Sequence, residues 1–286
     1  MNETHEAVLL VSCPDREGIV AEYASYMHGH GMNITQVDQS VDAEHGDFRM
    51  RMVVESDGRG RDLSTMRQEL EERSRTDSTH LHLHLSREPT GVAILCTKEP
   101  HCLQDLLQRH ESRELGCEIR VVVSNHEILQ PVAEFFRIPF VHVPVDPASK
   151  EQAESTIQGV LAEHEVDLLV LARYMQILSP GFVRDWDQRI INIHHSFLPA
   201  FAGGSPYRQA HQRGVKLVGA TAHYVNAELD GGPIIAQDVI ACSHRDSVRD
   251  LIRKGRDVER TTLARAVRWH VERRLLVQGD RVVVFG

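Results

Sequence analysis

The stretch "INIHHSFLPAF", residues 191–201, begins like a buried strand and ends within a few residues at a polar edge. Side chains alternate between the two faces of a strand, so Asn192 and His194 are predicted to point one way and His195 the other. This alternation argues against a metal site built from the two adjacent histidines. An amide and an imidazole on one face can polarise a carbonyl group and move a proton. The structural alternative is a histidine bonded to backbone groups near a core.

On the N-terminal side of this stretch, from residue 90 onward, the chain alternates short apolar runs with helix-length segments. Continuous Val, Ile and Leu runs indicate strands that are covered on both faces, and hence a doubly wound parallel sheet. The runs before residue 191 are "GVAILCT", "EIRVVVS", "FVHVPV" and "DLLVLA". After residue 200 the pattern predicts a short helix at 206–214, strands at 216–225 and 233–240, a long helix over roughly 246–276 and a last strand at 281–285. Ligands of such sheets bind beyond the carboxyl ends of the strands, which is where residues 195–201 lie.

The first 86 residues follow a different pattern, with the order β-α-β-β-α-β that is typical of a ferredoxin-like fold. The predicted strands are 6–12, 33–43, 47–55 and 79–86, and the predicted helices are 18–30 and 62–74. "SREPTG", residues 86–91, places a proline and a glycine between two strand signals. We therefore expect an α/β protein of two domains, 1–86 and 87–286.

Composition narrows the class of protein. The 286 residues are 41% hydrophobic and 26% charged, which predicts a packed core, and the formal net charge of −9 disfavours nucleic acid or a membrane as a general partner. The chain shows no apolar leader at its start and no run of 18 apolar residues, so we expect a soluble cytoplasmic protein. The five cysteines are odd in number, widely spaced and without a CxxC pair, which predicts reduced thiols and no zinc site.

A second motif lies in "HYVNAELDGGPIIAQ", residues 223–237. Asp230 is followed by Gly231, Gly232 and Pro233, a turn in which the backbone can approach a ligand closely. A carboxylate at this position could orient a histidine or hold a water molecule. The turn alone is also an ordinary connection between two strands. Its combination with the Asn-x-His strand end is far more specific.

"NIHHSFLPAF", "GATAHYV" and "LDGGPIIAQ", in this order and spacing, resemble the folate-dependent formyltransferase family over residues 90–286. The resemblance implies a Rossmann-like, mainly parallel catalytic domain whose catalytic residues are Asn192, His194 and Asp230. It also implies a pterin pocket lined by Gln176, Ile177, Leu178, Asn226, Glu228 and Leu229. Separately from the resemblance, strand alternation makes His223 a candidate for a role beside the catalytic residues, although it could equally be a structural histidine, and Ser196 at the strand end is a second candidate.

The stretch "VSCPDREGIVAEYASYMHGHGMNI" in the first 86 residues resembles an ACT domain. Such modules regulate enzymes, pair in oligomers and often bind amino acids. The resemblance implies a homo-oligomer, a dimer or tetramer, with an amino-acid effector site, and assembly without an effector is the alternative. The candidate effector residues are Arg16, Gly18, Gly31 and Asn33.

Within the family, an ACT module before the catalytic domain and the doubled histidine imply the hydrolytic branch. Its members convert 10-formyltetrahydrofolate to formate and tetrahydrofolate, which serves one-carbon balance and formate supply for purine biosynthesis. The folate is the substrate, and no cofactor or metal is expected. Two features favour water as acceptor: "CTKEPHCLQDLLQ" lacks the glycines of a phosphate-binding loop, and about 56 residues after Asp230 are few for an RNA-binding domain. A formyltransferase acting on an amine and a non-catalytic folate sensor remain the alternatives.

Three further features carry less weight. His80, His82 and His84 are predicted to share one face of a strand, where a solvated face is favoured over a metal site because no carboxylate or cysteine completes the set. "GRGRD", residues 58–62, lacks the strand and helix of a dinucleotide loop. Ser205, in "FAGGSPY", is smaller than the polar or basic side chain expected to meet the outer part of the folate.

Overall fold

The computed structural model describes residues 5–56, 63–76, 79–85, 89–146, 149–200 and 206–286. The predicted loop 58–62, Ser205 and positions 86–88 of the predicted domain boundary lie outside the described residues. The chain divides into two compact units. The first contains Met1–Pro89 with Arg273–Leu276 and Val284–Gly286, and the second contains Thr90–Glu272 with Val277–Val283.

The first unit has the βαββαβ order that the sequence predicts. Its elements are β1 (His5–Pro14), α1 (Ile19–Gly29), β2 (Asn33–Asp42), β3 (Asp47–Ser56), α2 (Leu63–Thr76) and β4 (His80–Leu85). The strands form an antiparallel sheet in the order β2-β3-β1-β4, in which Leu9 of β1 lies opposite Met52 of β3 and Leu83 of β4. Alternate residues of each strand face a core of aliphatic and methionine side chains shared with both helices.

Two C-terminal segments also belong to the first unit, although the sequence assigned them to the second domain. Phe285 is 2% exposed, Arg274 Nε donates to Phe285 O at 2.7 Å, and Gly286 N donates to Asp38 Oδ2 at 2.6 Å. Residues so far apart in sequence give no local signal of this pairing. The long helix also ends earlier than predicted, since Arg273, with φ 54°, takes the left-handed backbone conformation that stops it.

The second unit is built on a seven-stranded sheet in the described residues, with the order β11-β10-β9-β8-β5-β6-β7. Its strands are β5 (Gly91–Cys96), β6 (Glu118–Ser124), β7 (Phe140–His142), β8 (Leu168–Ala172), β9 (Ile190–His194), β10 (Leu217–Tyr224) and β11 (Ile234–Ala241). The helices are α3 (His101–Glu111), α4 (Gln130–Phe135), α5 (Lys150–Glu163), α6 (Pro180–Asp185), α7 (Pro206–Arg213) and α8 (Val248–Val271). A hairpin of β12 (Leu275–Gln278) and β13 (Arg281–Val284) follows.

The strands from β9 to β7 run parallel, and β10 and β11 continue the sheet antiparallel. Helices cover both faces: α5 and α6 pack on one, while α3 and α8 pack on the other. The predicted doubly wound, mainly parallel sheet is confirmed. Within the described residues, no helix is long and apolar enough to cross a membrane.

Candidate active site

Strand β9 brings the polar edge to the middle of the sheet. Ile190 packs in the core beneath α5 and α6, and alternation carries Asn192 and His194 along the same face. On the neighbouring antiparallel strand β10, His223 lies opposite Asn192, and Thr221 lies opposite His194. Two histidines and an asparagine therefore share one small area of the sheet.

The loop between β10 and β11 adds a carboxylate to this area. Asp230 Oδ2 lies 3.2 Å from His194 Nδ1, and Oδ1 lies 3.8 Å from His223 Nε2. The hydrogen bond from His194, opposed by partial burial, lowers the pKa of Asp230. The carboxylate is therefore ionised at neutral pH and fixes the imidazole of His194 with Nδ1 as the donor.

The other nitrogen of His194 has no hydrogen-bond partner among the residues that the structure describes, although His194 is only 6% exposed. A buried polar atom without a partner is uncommon in a folded protein and costs free energy. Nε2 is therefore the atom of the group that is available to a ligand.

Asn192 is oriented by His223. Its Nδ2 donates to His223 Nε2 at 3.2 Å, and His223 Nδ1 donates to Tyr224 O at 2.8 Å. Burial lowers the pKa of His223, which keeps the ring neutral and lets Nε2 accept the bond. One N–H of the Asn192 amide is thus used, and the second remains for a ligand.

The loop that carries Asp230 needs two unusual backbone positions. Asp230 has φ 55°, in the left-handed region, and a Cβ on Gly232 would collide with the carbonyl oxygen of Tyr224. Asn226 braces the loop from inside, since its Oδ1 accepts from Glu228 N at 3.0 Å and its Nδ2 donates to Gly231 O at 3.4 Å. The predicted turn is therefore a positioning device for the carboxylate.

The residues expected to line a pterin pocket fall on two segments beside these side chains. Leu178 is buried in the core cluster that also holds Tyr174, and Val225, at the start of the Asp230 loop, packs against the same cluster. Gln176 is half-buried. Large apolar side chains on these segments and on the loop after β9 are nevertheless open to solvent: Met175 (60% exposed), Ile177 (63%), Leu229 (66%) and Phe197 (42%). Glu228 is also exposed.

Ser196, expected near the catalytic residues, is used in the loop after β9. Its hydroxyl donates to Ala200 O at 2.8 Å, and its carbonyl oxygen accepts from Thr221 Oγ1 at 2.9 Å. Gln237 Nε2 donates to Leu198 O and to Thr221 Oγ1. These bonds hold the loop against the sheet, so Ser196 supports the edge on which His194 ends.

His195 points to the opposite face, where a buried cluster lies that sequence reasoning missed. The His195 and Tyr207 ring centroids are 5.9 Å apart, and Tyr207 OH donates to Glu259 Oε1 at 2.6 Å. His101 Nε2 lies 2.8 Å from Glu259 Oε2 and Arg173 Nε lies 3.7 Å from the same oxygen. Glu259 falls on the buried stripe of α8, four residues before Leu263, and a charged residue on an apolar stripe was the signal available in the sequence.

Two groups within the described residues have ligand atoms close enough to hold a metal ion: His101, Cys102 and Glu259, and the exposed set Asp42, Glu44 and His45. In the buried group, Glu259 already has hydrogen-bonding partners on both oxygens. Burial raises the pKa of the Cys102 thiol well above its ordinary value, so the thiolate that a metal needs is disfavoured. The donor set therefore fits a hydrogen-bonded network better than a metal.

The structure does not bring the four candidate effector residues together. Gly18, with φ 85°, precedes α1 and Gly31, with φ 73°, follows it. The 11 residues of the helix separate them by about 16 Å. Arg16 lies at the first end, paired with Glu22 at 2.5 Å, and Asn33 is exposed at the second.

Comparisons with known proteins find relatives along nearly the whole chain. A family model described as formyl transferase matches residues 90–267. The chain is 47% identical over 283 residues to a formyltetrahydrofolate deformylase of Synechocystis sp., with 98% of each chain covered. It is 43% identical to the protein of that name from Bacillus subtilis, covering 97% of this chain and 93% of the relative. A crystal structure of a formyltetrahydrofolate deformylase from Pseudomonas syringae superposes with a TM-score of 0.95 at 45% identity, covering 99% of this chain and 95% of that one.

Proposed function

The chain belongs to the formyltetrahydrofolate deformylase family, and we propose that it hydrolyses 10-formyltetrahydrofolate to formate and tetrahydrofolate. One observation carries the assignment of its catalytic residues. The His194–Asp230 pair leaves His194 Nε2 buried, without a hydrogen-bond partner in the described part of the chain, and on the same face as the Asn192 amide.

Asn192 and His194 stabilise the transition state. When water adds to the formyl carbon, negative charge develops on the carbonyl oxygen. The free N–H of Asn192 and the Nε2–H of a protonated His194 donate to that oxygen. One such donor is worth roughly 10²–10³ in rate.

Asp230 supplies the second part of the chemistry. Its carboxylate accepts a hydrogen bond from the attacking water and stabilises the His194 imidazolium. The attacking water gives up one proton to Asp230, the C–O bond forms, the C–N10 bond breaks, and N10 receives a proton from His194, or from that water through Asp230. In the first case the proton held by Asp230 restores the His194 imidazolium. Positioned proton transfer of this kind contributes about 10²–10⁴ in rate. No step requires a covalent intermediate, a metal or a cofactor.

His223 orients the amide of Asn192 because its neutral ring accepts one N–H and so directs the other towards the substrate. The pterin ring lies against Gln176, Ile177 and Leu178 on one side and against Asn226, Glu228 and Leu229 on the other. The exposed apolar side chains of these segments, together with Met175 and Phe197, give a flat ring a surface to cover. The folate is the substrate of this reaction, and no cofactor takes part in it.

For the first unit we propose an ACT-type regulatory role in a homo-oligomer, supported by its βαββαβ order. Because the ends of α1 are far apart, an amino-acid effector would be contacted in two separate places. Arg16 and Gly18 lie at one end of the helix, and Gly31 and Asn33 lie at the other. Calorimetric titration of the full chain with amino acids tests this role. A cytoplasmic location fits the five free cysteines, four of them buried, since thiols stay reduced in that compartment.

The decisive experiment for the reaction is incubation with 10-formyltetrahydrofolate alone, with formate measured over time. We expect formate and tetrahydrofolate in equal amounts. Little formate in the absence of an amine acceptor, together with tetrahydrofolate release that depends on the acceptor, would identify a transferase instead. Binding without turnover would identify a folate sensor.

A further inference from the structure

The buried cluster on the far side of β9 is occupied by ionisable groups that the reaction does not touch. Glu259 is 1% exposed, and both of its oxygens are bonded, one to Tyr207 and one to His101. Burying a carboxylate costs several kcal/mol unless it is well paired. A buried ion pair of this kind is weak evidence for stability, so its role follows from the groups that it contacts.

The neighbouring helix is shaped to admit this contact. A Cβ on Gly255, one turn before Glu259 on α8, would collide with the hydroxyl of Tyr207. Gly255 is buried inside the helix, where glycine is less favourable than alanine. The glycine therefore makes room for the Tyr207–Glu259 hydrogen bond.

The cluster reaches the catalytic histidine through its neighbour. The ring centroids of His194 and His195 are 5.2 Å apart, and His195 lies against Tyr207 on its other side. Arg173, directly after β8, carries the nearest positive charge and is balanced by Glu259 at 3.7 Å. Without that carboxylate, an unbalanced guanidinium would stand next to two imidazoles in a medium of low dielectric.

We propose that Glu259 is a positioning residue for the hydrolysis: it cancels the charge of Arg173 behind β9 and fixes Tyr207 against His195, so that His194 stays in place and can take up a proton. The inference rests on the proposed function, since it assigns His194 the role of proton donor. It requires that Glu259 be ionised. Burial works to raise the pKa of Glu259, but the bonds from His101 and Tyr207 and the charge of Arg173 together hold it below its ordinary value.

The electrostatic surroundings of His195 are consistent with this role. Burial and the charge of Arg173 lower its pKa to about 4, against the opposing effects of Glu259 and Asp230. His195 is thus a neutral spacer between the Arg173–Glu259 pair and His194. The titratable groups around it are His194 on β9, Arg173 after β8, Tyr207 on α7, Glu259 on α8, Asp230 on the β10–β11 loop, and His101 and Cys102 on α3.

Opposite charge changes at the two ends of the pair give opposite expected results. In Glu259→Gln the unbalanced Arg173 should move the alkaline limb of kcat/KM to lower pH by about one unit. In Arg173→Met the unbalanced Glu259 should move it to higher pH. The double variant should return the limb close to its original position. KM should change less than kcat, and damage to packing alone cannot produce shifts of opposite sign.

The matched control is Asp257→Asn, which removes an exposed carboxylate from the same helix, where it pairs with Arg260, and should leave the profile unchanged. Histidine Cε1–H signals in the full-length enzyme provide a readout that does not depend on turnover. The His195 signal should titrate at higher pH in Arg173→Met than in the original chain. If wild-type enzyme releases no formate, the proposed function fails, and the NMR titration still decides the electrostatic claim. Formate release with no shift, or with shifts of the same sign in both single variants, would overturn the inference alone.

Discussion

The two faces of β9 both bury ionisable side chains, but they leave different atoms free. On the active-site face, His194 has a partner for Nδ1 and, among the described residues, none for Nε2, and Asn192 keeps one N–H unused. On the Glu259 face, both carboxylate oxygens are bonded, although Arg173 Nε and His101 Nδ1 have no hydrogen-bond partner among the residues that the structure describes. Buried atoms without a partner thus occur on both faces and do not identify the reacting one by themselves. What distinguishes the active-site face is that its free donors lie next to a carboxylate loop and a strand end that carry exposed apolar side chains, Leu229 and Phe197.

Substitutions on the active-site face, which holds Asn192, His194 and Asp230, should reduce activity most. Asp230→Asn and His194→Ala should each lower kcat for formate release by about 10³ or more, because each removes the group that holds or transfers the proton. Circular dichroism and the unfolding temperature should remain close to those of the original chain. His80→Ala, at an exposed position in the first unit, is the control. Turnover near the original rate in either active-site variant would remove the assignment.

A second prediction compares a glycine from each face. In Gly232→Ala the added Cβ meets the backbone carbonyl of Tyr224, which cannot move cheaply, so the Asp230 loop must shift and kcat should fall about 100-fold. In Gly255→Ala the Cβ meets the buried Tyr207, and such overpacking should lower the free energy of unfolding by about 1–3 kcal/mol with a smaller loss of kcat.

The control for this pair is Gly159→Ala, because no atom lies within 4 Å of the Cβ position in the exposed middle of α5. That variant should be as active as the original chain and slightly more stable. Steady-state kinetics and urea unfolding measure both quantities. If Gly232→Ala and Gly255→Ala lost kcat and free energy of unfolding in the same proportion, the two faces would not differ in the way described.

Much of the active-site face could be predicted from the sequence, because local patterns of strand and turn residues position its side chains. Period-two alternation places Asn192 and His194 on one face of the strand, and the glycines after Asp230 predict a tight loop. The contact between Asp230 and His194 follows from no pattern and came from the family resemblance. The role of His223 stayed open, because a cross-strand partner depends on register.

The sequence analysis missed the Glu259 face for a physical reason. Glu259, Tyr207 and His101 come from three helices, and each looks like part of an ordinary amphipathic helix when read alone. Arg173 reaches Glu259 with a backbone φ of 62°, which strand alternation cannot anticipate. The C-terminal pairing of Phe285 with the first unit is likewise long-range. Local patterns identify strands and turns, but they do not show which helices meet behind a strand.

A smaller effect is expected on the pH dependence of the free energy of unfolding, through His195 on the Glu259 face. His195 has a pKa of about 4, mainly because of burial, whereas a histidine in the unfolded chain has an ordinary value of 6.5. Between these values the unfolded chain binds a proton that the native chain does not, so the free energy of unfolding falls as pH falls. The contribution of His195 between pH 7 and pH 5 should be about 2 kcal/mol. His223 adds to it in the same direction, since burial also lowers its pKa.

His195→Asn should therefore lose a measurable part of the pH dependence of stability, because an amide side chain takes up no proton in this range. Urea unfolding at pH 7 and pH 5 measures the difference, with His80→Asn as the exposed control. An unchanged pH dependence would mean that His195 takes up its proton in the native chain over the same pH range as in the unfolded chain. At pH 5 the face behind β9 would then carry a second positive charge beside Arg173 against the single carboxylate of Glu259, and the neutral spacer next to His194 would be lost.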